Sequence, residues 1–150
     1  MKEYGPLAGI PPEFAHEGHP VWTVIAPRDG VGGFTPSEFR YPWKMDARFL
    51  LLLYLMRLYA GVPFRISSDH RPPEHNKAVG GAEQSAHQEE PCACVDLKVM
   101  NNRERFRITR TAYGFGVHRI GVARYETDPK TGAGIVHIDC SRTLPPDVCW

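Results

Sequence analysis

Hydrophobic positions along the chain change rhythm several times, and each change marks an element. From Asp46 onward the run A-R-F-L-L-L-L-Y-L-M-R-L-Y-A is apolar nearly all round. Asp46 stands where a helix is capped and Gly61 where one stops. Such a run predicts a central, buried helix. V-P-F-R-I-S-S, residues 62–68, predicts a strand, and D-H-R-P-P-E-H-N-K-A-V-G-G-A after it a loop. C-V-D-L-K-V, residues 94–99, alternates as a strand does. Asn102 is placed to cap a helix over R-E-R-F-R-I-T-R-T-A-Y, closed by Gly114. I-G-V-A-R-Y and G-I-V-H-I-D predict a hairpin across the turn-rich E-T-D-P-K-T-G-A.

The first third of the chain is less regular. V-W-T-V-I-A, residues 21–26, predicts a short strand. F-T-P-S-E-F, residues 34–39, predicts a short helix with a capping box built from Thr35 and Glu38 around Pro36. Proline and glycine dominate residues 1–33, which read as an irregular N-terminal arm before a domain over 34–150. Helices come first, then antiparallel strands with one helix inserted, so the expected class is α+β.

At 150 residues the chain has the length of one domain and can bury a core without staples. Its net charge of +1 gives no argument for a nucleic-acid or anionic-membrane partner. The longest apolar run, Phe49 to Met56, falls far short of the ~20 residues that span a bilayer. The start M-K-E-Y-G-P-L-A-G-I lacks the apolar core of a secretory signal. The expectation is therefore a chain that is cytoplasmic on synthesis. Of four cysteines, Cys92, Cys94, Cys140 and Cys149, reduced thiols are expected, since nothing marks an oxidising compartment.

The segment S-A-H-Q-E-E-P-C-A-C-V-D, residues 85–96, concentrates a histidine, three carboxylates and two thiols. A metal centre, a disulfide framework and a plain loop leading into a strand all fit that composition. Asp96 is the odd residue, because it sits between Val95 and Leu97 and a buried carboxylate needs a partner. A catalytic metal needs three protein ligands and an open position. His87, Asp96 and His137 meet that need if their two strands share a sheet.

The order of these pieces resembles the zinc D-Ala-D-Ala carboxypeptidases, whose relatives include the vancomycin-resistance D-Ala-D-Ala dipeptidases, phage L-alanyl-D-glutamate endolysins and the Hedgehog signalling domain. F-T-P-S-E-F resembles the family's F-x-x-S-E-F, and F-R-I-S-S-D-H-R its strand ending in S-G-Y-R. N-K-A-V-G-G-A-E-Q-S-A-H resembles N-x-x-V-G-G-A-x-x-S-x-H. G-I-V-H-I-D resembles the closing F-V-H-V-D, with Arg142 and Trp150 downstream. The resemblance spans residues 34–150 and implies an antiparallel sheet with helices packed on one side. It implies a Zn2+ cofactor held by His87, Asp96 and His137. Arg71 takes the position that holds the substrate carbonyl, and Ser85 that of a substrate contact. The implied substrate is a peptidoglycan stem peptide cut next to a D-residue, by a monomer. A phage lysis enzyme or a virion-associated protein would suit the absent signal.

Two departures stand out. The family's step from histidine to aspartate is seven positions, whereas His87 to Asp96 is nine, with Cys92 and Cys94 where glycine and alanine are expected. Cys94 shares the strand face of Asp96, which makes it the thiol placed to enter the metal shell. The acid that many relatives carry three residues before the last histidine is Gly134 here. Asp139, on the face of His137, is the first candidate for the general base, followed by Glu126, Asp128 and His118. The other role open to Asp139 is to orient a metal ligand. Without a base, the same fold would be a non-catalytic zinc module. The four cysteines leave a third option, a thiolate-rich zinc or redox site.

Overall fold

A computed structural model describes residues 5–122 and 127–150. Its helices are α1 (Pro20–Val24), α2 (Ala47–Ala60), α3 (Pro73–Ala78) and α4 (Asn102–Gly114). Its strands are β1 (Arg65–Ser68), β2 (Cys94–Val99), β3 (Arg119–Gly121), β4 (Gly134–Asp139) and β5 (Val148–Cys149). They form one sheet in the order β1-β2-β4-β3-β5. Every pairing is antiparallel except β5, which runs parallel to β3. The α+β class and the largely antiparallel sheet match the expectation, and the short parallel edge was not foreseen.

The central pair is β2 against β4. Its register sets Val95 opposite Ile138 and Leu97 opposite Val136 on one face. All four side chains are fully buried in the core, together with Ile108 and Ala112 of α4. Strand alternation sends Cys94, Asp96, His137 and Asp139 to the other face. The apolar side thus welds the sheet to the helices and leaves the polar side to line a cleft.

Helix α2 forms as its sequence predicts. The Asp46 carboxylate accepts from the amides of Arg48 and Phe49, and Gly61 ends the helix at φ 61° with its N–H on the Arg57 carbonyl. Only glycine adopts that left-handed turn without strain. The helix is not buried on all sides. Phe49, Leu50, Leu53 and Met56 are fully buried, but Leu51, Leu55, Leu58 and Tyr59 form an exposed stripe. An all-apolar sequence cannot say which face finds a partner.

Several local expectations are corrected. Residues 21–26 are not a strand; Pro20–Val24 is the short helix α1, capped by His19, whose Nδ1 accepts from the Val21 amide. Pro20 at the first helical position outweighs the β-branched run behind it. The loop at 69–82 contains α3, begun by the Pro72-Pro73 pair. The cap of α4 is Asn101, one residue earlier than expected, with its side chain accepting from the Glu104 amide. The helix expected at 34–39 is a single 3-10 turn, Pro36–Glu38, where the Glu38 carboxylate accepts from the Thr35 amide at 2.8 Å. Residues 123–125 of the I-G-V-A-R-Y strand lie outside the described residues. The N-terminal arm sends Leu7, Ala15, Val21 and Ile25 into the same core as the sheet.

Asp46 does more than cap. It is fully buried, pairs with Arg48 at 2.6 Å and lies 3.5 Å from Arg142, which is itself buried. Removing one partner of a buried ion pair leaves an uncompensated charge and costs about 3–5 kcal/mol. Asp46→Ala is therefore expected to lower the thermal midpoint by roughly 6–20 °C, at about 2–4 °C per kcal/mol for this size. Glu38→Ala, which removes a more exposed cap worth about 1 kcal/mol, is the comparison. Calorimetry of both variants checks the order.

Candidate metal centre

The register of β2 on β4 places Asp96 directly opposite His137 and Cys94 directly opposite Asp139. His87 arrives from a separate 3-10 turn, Ala86–Gln88, whose cap is Ser85: its hydroxyl accepts from the His87 amide at 3.3 Å. The His87 carbonyl accepts from the Arg71 amide at 2.7 Å, so the turn is tied to the segment between β1 and α3. The rings of His87 and His137 stand 5.3 Å apart, centroid to centroid.

His87 Nδ1 lies 2.5 Å from the Asp69 carbonyl. A carbonyl only accepts, so Nδ1 carries the proton and Nε2 presents its lone pair. Nε2 is buried and has no hydrogen-bond partner among the described residues. It stands 3.3 Å from Asp96 Oδ2. Two donors on one tetrahedral zinc lie roughly 3.4 Å apart, given bonds of about 2.0–2.2 Å. A buried nitrogen without a partner is costly, and a cation between it and Asp96 removes the cost. The donor set fits a metal ion on that ground.

Asp96 is also held by the Arg71 guanidinium, Nη2 to Oδ2 at 2.5 Å, and by His137 Nδ1 at 2.8 Å. Burial pushes its carboxyl up, but opposing interactions, the His137 hydrogen bond first among them, hold it well below the usual carboxylate range. His137 shows the converse. Burial disfavours its charged form, yet Asp139 at Nε2 and Asp96 at Nδ1 raise its pKa to about 9. A metal ion taken up at this ring displaces a proton.

Asp139 is fully buried with both oxygens engaged. Oδ1 accepts from Arg119 Nε at 3.0 Å and from the Ser141 amide at 2.9 Å; Oδ2 accepts from His137 Nε2 at 2.7 Å. Arg119 in turn lies over the Trp150 ring at 5.5 Å, and that ring stands 5.2 Å from His137. Trp150 fits there because Gly121 has no side chain. A Cβ at Gly121 would stand 3.0 Å from the indole and 3.1 Å from His137 Cβ.

These groups line a cleft of about 740 Å³, which includes Arg71, Ser85, Asp96, Arg119, His137 and Trp150, faced by the Val79–Ala82 loop. The structure thus brings His87, Asp96, His137, Arg71, Ser85 and Asp139 together. It does not bring the other base candidates to them. Asp128 accepts from the Lys130 amide in its own turn and His118 pairs with Asp147 at 2.5 Å; neither lines the cleft. Glu126 lies outside the described residues. No disulfide links any of the four cysteines, all of which lie among the described residues. Cys94 Sγ stands 3.8 Å from His137 Nε2, and the donor atoms of His87, Cys94 and His137 all lie within 4.8 Å of one another. Sequence reasoning missed Arg119 and Asp69. Asp69 acts through its backbone carbonyl, which no sequence pattern marks, and the role of Arg119 follows only from the pairing of β3 with β4.

If Asp139 orients His137, Asp139→Asn weakens zinc binding roughly 10–100-fold while one equivalent still binds. Ser85→Ala, which removes a turn cap and none of the donor atoms, leaves zinc affinity nearly unchanged. Competition against a chromophoric chelator measures both.

Among the described residues no helix is long and apolar enough to cross a membrane. No curated protein and no solved structure gives a significant match to the chain. The sequence profile of the family described as Peptidase M15 matches residues 32–139, which contain His87, Asp96 and His137 and end at Asp139. The match covers well over half of the chain, which therefore belongs to the peptidase M15 family, the zinc D-Ala-D-Ala carboxypeptidase-like peptidases.

Proposed function

We propose that this chain is a zinc peptidase that hydrolyses peptidoglycan stem peptides at bonds next to D-residues, in the manner of a D-Ala-D-Ala carboxypeptidase or an L-Ala-D-Glu endopeptidase. The observation that carries the reading is the convergence of His87, Asp96 and His137 beside Arg71 at one cleft. His87 through Nε2, Asp96 and His137 through Nδ1 would hold the ion. Zinc in such a site supplies Lewis acidity and lowers the pKa of water.

The remaining roles belong to the chain's own groups. Arg71 is anchored by Ser68, its Nε donating to the hydroxyl at 2.8 Å, which fixes the guanidinium toward the cleft. A fixed guanidinium fork suits a carbonyl oxygen that gains negative charge. Two arginines, Arg71 and Arg119, suit a substrate that carries carboxylates, while Trp150, Leu144 and Ile135 suit small apolar side chains such as alanine. Stem peptides combine those features. Ser85 lines the same wall and offers its hydroxyl to substrate.

Asp139 takes the orienting role in this reading rather than that of the base. Its oxygens are already occupied by Arg119, Ser141 and His137, which leaves none free to receive a proton from water. That same observation favours the second reading, a non-catalytic zinc module of this fold, because no cleft carboxylate among the described residues is uncommitted.

Digestion of purified peptidoglycan by the zinc-loaded chain, read by mass spectrometry, decides between them. The expected result is new stem-peptide fragments from the wild type and none from His137→Ala, which no longer holds zinc. Arg71→Ala should keep its zinc and lose about 10²–10³ in kcat. A wild type that carries one zinc and releases nothing would establish the binding module instead.

A further inference from the structure

The imidazole of His137 meets different donors at its two nitrogens. Nδ1 faces Asp96 at 2.8 Å, whereas Nε2 faces Asp139 at 2.7 Å and Cys94 Sγ at 3.8 Å. One sulfur and one nitrogen on the same tetrahedral ion lie roughly 3.6 Å apart, from bonds of about 2.3 and 2.0–2.1 Å. The spacing of Cys94 and His137 is close to that value. His87 completes a cluster of three buried residues whose donor atoms lie within 4.8 Å of one another. Its Nε2 has no hydrogen-bond partner among the described residues, and its side chain is 3% exposed. Asp96, by contrast, already holds the Arg71 guanidinium at 2.5 Å.

We propose that Cys94, with His87 and His137, forms a second donor set that takes thiophilic ions such as cadmium or copper(I). This deepens the metal reading above and rests on it: Asp96 completes the set for zinc, and Cys94 completes the set for softer ions. Thiolate sulfur favours soft ions and carboxylate oxygen hard ones, so the two sets differ in what they select. Binding breaks the Cys94 S–H bond and the His137 Nε2–H bond that otherwise donates to Asp139, forms a sulfur–metal and a nitrogen–metal bond, and both protons leave to solvent. Both sets need His87 and the same imidazole, so a soft ion excludes zinc. Cadmium would therefore act as an inhibitor that competes for the site. Cys92 does not share this role, since its Sγ points to the carbonyls of Ala86 and Cys94 at 3.8 and 3.7 Å.

Cadmium titration of the full chain tests the proposal, with Cys149→Ser present throughout to remove the exposed thiol. The near-ultraviolet absorption of a thiolate bound to cadmium should grow to one equivalent. It should vanish in Cys94→Ala and in the better space-filling Cys94→Ser, and survive in Cys92→Ala and Asp96→Asn. Zinc affinity should fall at least about tenfold in Asp96→Asn and hold in Cys94→Ser. Circular dichroism confirms that each variant is folded, and cadmium NMR of the chain with Cys94 intact reports sulfur ligation independently of any Cys94 variant. Cadmium bound without that absorption, or absorption that survives Cys94→Ser, overturns the second donor set and leaves the zinc reading standing. A chain that binds neither ion overturns both.

Discussion

Everything at the cleft depends on the register of β2 against β4. Side chains alternate along a strand, so a slip of one residue would move Asp96 and Cys94 into the core and push Val95 and Leu97 into the cleft. That slip would bury a carboxylate among Ile108, Ala112 and Ile120, at a cost of several kcal/mol. The apolar face therefore guards the polar one. Val95, Leu97, Val136 and Ile138 hold the register by being buried, and the register sets Asp96 across from His137. Packing supplies the precision that metal ligation needs.

The polar face has its own constraint. It carries two carboxylates, the half-buried Asp96 and the buried Asp139, and each is compensated by an arginine from a neighbouring segment and by one nitrogen of His137. Arg71 and Arg119 thus bracket a single imidazole from opposite ends. Each guanidinium is also tethered elsewhere, Arg71 to Ser68 and Arg119 to the carbonyl of Pro145. Desolvated charges are tolerable only when paired in this way. The same pairing explains why Asp139 fits an orienting role. A carboxylate that accepts from a guanidinium, a backbone amide and an imidazole has both of its oxygens already committed.

How much of this could be read in advance follows from which residues act through side chains in regular strands. Asp96 declared itself as a carboxylate in an apolar strand, and His137 by its place in G-I-V-H-I-D. Their convergence needed only that two alternating strands share a sheet. Cys94 could be assigned to the same face by parity. Arg119 could not, because β3 is three residues long and its alignment to β4 is a tertiary fact. Short apolar stretches misled for a related reason. V-W-T-V-I-A has strand composition, but Pro20 and the His19 cap decide its fate, and they lie at and beyond its edge. The leucine-rich α2 showed that it is a helix but not that one side of it faces outward.

The two extra residues between His87 and Asp96 show how an apparent irregularity becomes structural. They fall around Glu89 and Glu90. Glu89 Oε1 accepts from the hydroxyls of Ser141 at 2.5 Å and Thr143 at 2.7 Å, and Oε2 from the Arg142 amide at 3.1 Å. Glu90 pairs with Lys44 at 3.1 Å. The longer loop therefore clasps the segment that follows β4, and Arg142 in that segment reaches Asp46 at the head of α2 and the Pro91 carbonyl. The chain beyond this clasp leads to β5 and Trp150, which stands against His137. Loop length costs little in closure entropy, and here the added residues return carboxylates that brace the wall of the cleft. The departure in spacing and the placement of the indole are thus parts of one arrangement, joined through Glu89.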